Sequence, residues 1–166
     1  MTTRQKIRLV IGLLVVGFII YAWATGREGT RLTGTVVSVH DGDTVTILQG
    51  KTQYKIRLDG IDCPELGQAF GNNARQFTSD MVFGKKISVY YSSKDRYGRY
   101  LGNVLNQEGK NLNRELLKAG MAWHYKHYND DVILAGLEIK ARHDKIGLWA
   151  DPHAIPPWEF RQQGRE

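Results

Sequence analysis

Apolar and polar positions alternate along five short stretches of the chain and recur at helical spacing along three others. Leu32 to Val39 is rich in β-branched residues, and Thr44-Val45-Thr46-Ile47-Leu48 alternates as a half-buried strand does. Asp41-Gly42 between them is a hairpin signal. In a third strand Tyr54, Ile56 and Leu58 share one face and Lys55, Arg57 and Asp59 the other, because side chains alternate with period two; Arg57 therefore points away from the core. Ile87 to Tyr91 and Tyr100 to Leu105 flank a polar turn carrying Tyr97 and Arg99. Five short strands predict a small closed barrel. Helical stripes run through Ala74, Phe77 and Met81 before Gly84, through Leu112, Leu116 and Leu117 before Gly120, and through Leu134, Leu137 and Ala141 before Gly147. Asn72, Asn111 and Asp130 or Asp131 are the expected N-caps, and the order β-β-β-α-β-β-α-α makes an α+β domain. The tail, Ile155-Pro156-Pro157-Trp158-Glu159-Phe160, is apolar enough to pack back on that domain.

A different pattern opens the chain. Arg4, Lys6 and Arg8 precede a continuous apolar run from Leu9 to Ile20, followed by Tyr21-Ala22-Trp23-Ala24. A basic start, an apolar middle of about 7 to 15 residues and a small-x-small ending describe an export signal cleaved after Ala24. Left uncleaved, residues 9–24 serve as a membrane anchor, somewhat short of the roughly 20 residues a spanning helix prefers, a deficit that snorkelling flanks make up. Either way the basic residues lie before the apolar run, which leaves the domain outside the cytoplasm, secreted or periplasmic if cleaved and anchored if not. Residues 1–24 thus read as signal peptide or anchor, 25–29 as linker and 30–166 as one domain. A chain of 166 residues with 42% hydrophobic content holds one core rather than two.

Charge and cysteine narrow the chemistry. The net charge of +6 falls to +3 without the three basic residues of the leader, since 20 basic residues then face 17 acidic ones. A balance that mild permits a polyanionic partner without demanding one. Cys63 is the one cysteine, so an internal disulfide and a CxxC-type zinc site are excluded. As a nucleophile it would need a histidine base, and none of the five histidines stands at informative spacing; a small, partly buried residue is the expected reading. His124 and His127 lie three apart but lack the further ligands of a zinc site.

Two runs carry more than a fold needs. Asp41-Gly42-Asp43-Thr44 and Arg57-Leu58-Asp59-Gly60-Ile61-Asp62-Cys63-Pro64-Glu65 crowd carboxylates and an arginine into one hairpin region. Carboxylate oxygens bind hard divalent cations, and a guanidinium offers paired donors matched to phosphate. Taken singly, the first run is also an ordinary solvated turn and the second a decorated one. Asp95-Arg96-Tyr97-Gly98-Arg99 adds a second arginine that would hold charge developing on phosphorus from another side.

With those three motifs in order, the chain resembles the staphylococcal nuclease-like (thermonuclease) family, whose pattern is an Asp-Gly-Asp-Thr turn, Arg followed by Asp-x-Pro-Glu, and a later Tyr-Gly-Arg. The resemblance covers about Thr30 to Trp149. It implies an OB-type five-stranded β-barrel with three α-helices, and calcium-dependent hydrolysis of DNA and RNA with little sequence preference, leaving 3′-phosphates. By the same resemblance Asp43, Asp62 and the main-chain carbonyl of Cys63 hold Ca²⁺, and Asp41 stands behind them. Glu65 matches the general base, and Arg57 and Arg99 match the two phosphate-clamping arginines. The family often has threonine where this chain has Cys63, a difference to which a backbone carbonyl is insensitive.

Tyr97, Tyr125 and Tyr128 are candidate nucleotide-stacking residues, with core packing the competing role. The expected partners are DNA and RNA, and no obligate protein partner is inferred. Losing one preorganised donor typically costs about 10²-fold in turnover, so Arg57→Ala is expected to impair catalysis more than folding. The competing function is a noncatalytic OB-type module that binds nucleic acid or protein at the cell envelope. A cysteine hydrolase is a third, more remote reading, which would demand sensitivity to thiol-blocking reagents.

Overall fold

The alternating stretches form a closed five-stranded barrel in the computed structural model, which describes residues 30–163. The expected leader or anchor, 1–24, and linker, 25–29, lie outside those residues. Strands β1 (Thr30–Val39), β2 (Thr44–Gln49), β3 (Thr52–Leu58), β5 (Lys86–Lys94) and β6 (Tyr100–Leu105) are ordered β1-β2-β3-β6-β5, and β5 closes on β1. All pairs are antiparallel except β3 with β6, where Arg57 faces Leu101. That parallel pairing sets the 95–99 turn beside the end of β3. Two short strands, β4 (Ile61–Asp62) and β7 (Trp123–His124), pair apart from the barrel.

Barrel interior and helices share one core. Val36, Val45, Ile47, Ile56, Leu58, Val89 and Val104 meet Ala74 and Val82 of α1 (Gly71–Val82) and Leu112, Leu116 and Leu117 of α2 (Leu112–Lys118). Leu134 of α3 (Val132–His143) joins them. Asn111 caps α2 by accepting from the Arg114 amide at 3.1 Å, and Asp131 caps α3 by accepting from Ile133 at 2.7 Å.

Three expectations need correction. Helix α1 starts at Gly71, one residue before the expected cap Asn72, and the cap position is Phe70 in the left-handed region (φ 65°), with no side-chain bond. The physical reason is close approach: a Cβ on Gly71 would fall on the Glu65 carbonyl oxygen, so a glycine must stand where the helix meets that loop. Strand β2 is buried on both faces from Thr44 to Ile47 rather than alternating. Its outer face is covered at Thr46, whose hydroxyl pairs with His40 Nε2 at 2.9 Å, and at Thr44, which bonds Asp43. Finally, the described chain has a fourth helix, α4 (Pro157–Gln163), where only a packed tail was expected. Pro157 sits at its start, where a missing N–H costs nothing.

The tail docks on a second, smaller cluster built from Trp123, Ala141, Leu148 and Trp149, with Phe70 and Trp158 against it. The Arg142 guanidinium lies over the Trp149 and Trp123 rings at 3.8 and 4.6 Å. Glu138, 1% exposed on the apolar side of α3, pairs with Arg142 and Lys126, each at 3.0 Å.

Candidate active site

The Asp41–Asp43 turn, the end of β3 and the 59–65 segment fold onto one another because Gly42 leaves no side chain between them. A Cβ there would stand 2.6 Å from the Cys63 Cβ and 2.8 Å from that of Ala74. Gly42 is thus needed for proximity, and not for the left-handed turn conformation that Asp-Gly suggests. Asp41 Oδ1 accepts from the Asp43 amide at 3.0 Å, and Asp43 Oδ2 accepts from the Cys63 amide at 2.7 Å. Arg57 leaves the barrel face as alternation requires, yet it is not exposed. Its Nη1 donates to the carbonyls of Leu58 and Ile61, both at 2.8 Å, its Nη2 to Asp62 Oδ1 at 2.7 Å, and its Nε stands 3.1 Å from Asp43 Oδ1.

These groups line a cavity of about 300 Å³ together with Glu65, Tyr97, Arg99 and Tyr125. Every site residue expected from the sequence reaches it except Tyr128, which is exposed and packs edge-on to Tyr125 with ring centroids 4.9 Å apart. Arg99 is aimed by Asp95: Nε donates to Asp95 Oδ2 at 2.7 Å, while Asp95 Oδ1 accepts from the amides of Tyr97 and Arg99. The exposed Tyr97 ring lies beneath the guanidiniums of Arg96 and Arg99, at 4.8 and 5.4 Å from its centroid. The Tyr125 ring is stacked on Trp158 at 5.3 Å and 5°.

Sequence reasoning missed Arg161. This α4 side chain enters the same cavity, donating from Nη1 to Glu65 Oε1 at 2.6 Å and from Nη2 to Asp62 Oδ2 at 2.7 Å. A signal existed: Trp158 and Arg161 are three apart, one helical face, so docking the tryptophan brings the arginine down beside it.

Electrostatics follow from burial. Desolvation pushes the Asp43 carboxyl up to about 7, Asp41 and Asp62 add to the push, and Arg57 and the Cys63 amide pull against it. Burial opposes the charge on Arg57, but Asp43 and Asp62 outweigh it and raise its pKa further; Asp62 and Glu65 do the same for Arg161. Burial, then Asp43, raises the Cys63 thiol well above its ordinary value, so it is a neutral packed thiol and the cysteine-hydrolase reading has no thiolate to use.

The residues fit a divalent cation. Asp41, Asp43, Asp62 and Glu65 bring four carboxylates, hard oxygen donors, to the cavity; Arg57 and Arg161 contact three of them, Asp43, Asp62 and Glu65, and Arg96 and Arg99 line the cavity without touching any of the four. Among the described residues no three His, Cys, Asp or Glu side chains are arranged to hold a metal by themselves. Such an ion would therefore take few side-chain carboxylates and complete its shell with main-chain and water oxygens, as hard cations do.

Comparison with known proteins agrees with this geometry. Residues 55–151 match the family described as "Staphylococcal nuclease homologue", a span that omits β1, β2 and α4. A protein of Escherichia coli O157:H7 named "Uncharacterized endonuclease" is 42% identical over 130 residues, covering 78% of this chain and 85% of its own. "Protein ParB" of Escherichia coli is 41% identical over 152 residues, covering 86% and 82%. A "Micrococcal nuclease" of Shigella flexneri is 37% identical over 169 residues, covering 96% and 94%. The chain belongs to the staphylococcal nuclease homologue family.

Proposed function

We propose that this family member, a nuclease hydrolase, is a Ca²⁺-dependent enzyme that cuts DNA and RNA with little sequence preference. The observation that carries the reading is the convergence of Asp43, Asp62, Glu65, Arg57 and Arg99 on one cavity. The family is generally metal-dependent, and an all-oxygen donor set supports calcium over softer ions. Asp43, Asp62 and the Cys63 carbonyl would hold the ion, with Asp41 fixing the Asp43 amide behind them. When bound, the ion supplies positive charge to a phosphate oxygen.

The chain's own residues account for the rest of the reaction. Glu65 orients a water and accepts its proton as the water oxygen adds to phosphorus and the opposite P–O bond breaks; the sugar oxygen leaves with the bonding pair and takes a proton from solvent to become the alcohol. Arg99 and the remaining N–H of Arg57 hold the phosphate oxygens, so charge developing at phosphorus meets cations already in place. Tyr97, exposed at the cavity mouth, and Tyr125, whose ring is already stacked on Trp158, border the cavity where a nucleotide would lie, aromatic contacts that do not depend on base identity. The basic residues before the apolar run support action outside the cytoplasm.

A zymogram with and without chelator tests this reading. Clearing of DNA and RNA restored by Ca²⁺, and lost in Glu65→Gln, is the expected result. Retention of nucleic acid without clearing would instead favour the noncatalytic module.

A further inference from the structure

Arg161 sits outside the matched family span, and no motif of the sequence called for it, yet it is the group that touches Glu65. Its planar fork bridges two carboxylates, Nη1 on Glu65 Oε1 and Nη2 on Asp62 Oδ2. A glutamate carries three rotors, and one held at a single oxygen by a charge-assisted bond keeps the other oxygen at a fixed place. Among the described residues Glu65 Oε2 has no protein partner, so the anchored oxygen and the available one are different atoms. The arm that delivers Arg161 is itself tied to the same segment. Gln68 Nε2 donates to the Ile155 carbonyl at 2.6 Å while Gln68 Oε1 accepts from the Glu65 amide at 3.0 Å, and Trp158 stacks on Tyr125.

We propose that Arg161 is a positioning residue for the reaction: bridging Asp62 and Glu65, it fixes the Glu65 carboxylate so that Oε2 meets the attacking water. This rests on the nuclease reading above. Anchoring of this kind changes turnover rather than substrate binding, because a misplaced base leaves ground-state contacts intact. A lysine keeps the charge but lacks the fork, so it reaches one carboxylate and not both.

The test is a double-mutant cycle in the full chain, with a short fluorescent single-stranded DNA as substrate and Ca²⁺ in excess. Arg161→Gln is expected to lower kcat by about 10- to 100-fold and to move KM less than about threefold, with Arg161→Lys in between. In a Glu65→Gln background, followed over long incubations, Arg161→Gln should cause no further loss, since its effect runs through Glu65. Calorimetric titration with Ca²⁺ alone should give the variant an affinity equal to or tighter than wild type.

An equal loss in both backgrounds, a change confined to KM, an unchanged rate, or loss of Ca²⁺ binding would each overturn the assignment. Circular dichroism and melting guard against misfolding, and if Arg161→Gln does not fold, Arg161→Lys carries the same cycle by the same criteria. Wild-type protein that cuts under neither Ca²⁺ nor any other divalent cation removes the catalytic reading and this one with it, whereas cutting that ignores Arg161 removes only this one.

Discussion

Arg57 has five N–H donors, and four polar contacts already lie inside the protein: two carbonyls and the carboxylates of Asp43 and Asp62. It is a structural cation whatever part it takes in holding phosphate. The expectation that Arg57→Ala would impair catalysis more than folding therefore needs revision. Removing one partner of a buried ion pair leaves uncompensated charge, typically about 3–5 kcal/mol, so Arg57→Ala should lower stability by that order in denaturant melts besides abolishing turnover. Arg99 is the cleaner probe. Its Asp95 pair is only partly buried and holds one carboxylate rather than two, so Arg99→Ala should cost about 1 kcal/mol of stability, well below Arg57→Ala, while turnover falls about 10²-fold. If Arg99→Ala cuts nucleic acid at the wild-type rate, Arg99 has no part in holding the phosphate.

The 95–99 turn is an element whose job is to aim one side chain. Burial opposes the charge on Asp95, but the Arg99 side chain and the amides of Arg99 and Tyr97 outweigh it and hold its carboxyl below the ordinary carboxylate value. A carboxyl with a depressed folded-state pKa stabilises the fold at pH above its unfolded value, and that contribution fades as pH falls through the folded value. Wild type should thus melt above Asp95→Asn at neutral pH, and the gap should close as the pH is taken below about 4. A gap that persists or widens in acid would mean that Asp95 does not act through its charge. At neutral pH the same variant should lose turnover, because Arg99 is no longer held from the side.

At the scale of the molecule, what the sequence disclosed was what is local. Asp41, Asp43, Arg57, Asp62 and Glu65 lie on one hairpin, one strand and the turn after it, so motif spacing and period-two alternation sufficed to gather them. Arg99 was a candidate from its motif, but the parallel pairing of β3 with β6 that delivers it is a long-range contact that no local pattern shows. Arg161 comes from 96 residues beyond Glu65, and its spacing from Trp158 gives its helical face but not the carboxylates it meets. Glu138 interrupts an apolar stripe with a charge; Arg142 stands four residues on, a local pairing, whereas Lys126 comes from another segment that no local pattern announces.

The assembled cluster has a consequence for the whole fold. Its carboxylates are gathered only in the folded chain, so a divalent cation that binds the folded state and not the unfolded one must stabilise it. At about 100 times its dissociation constant, Ca²⁺ should add about 2.7 kcal/mol, read as a melting temperature several degrees higher. Asp43→Asn should abolish most of that increment, since it removes a buried carboxylate whose charge burial already disfavours and a bound cation would relieve. A wild-type melting temperature indifferent to Ca²⁺ up to millimolar concentration would show that the acidic cavity does not hold this ion, and the catalytic reading would then need another cation.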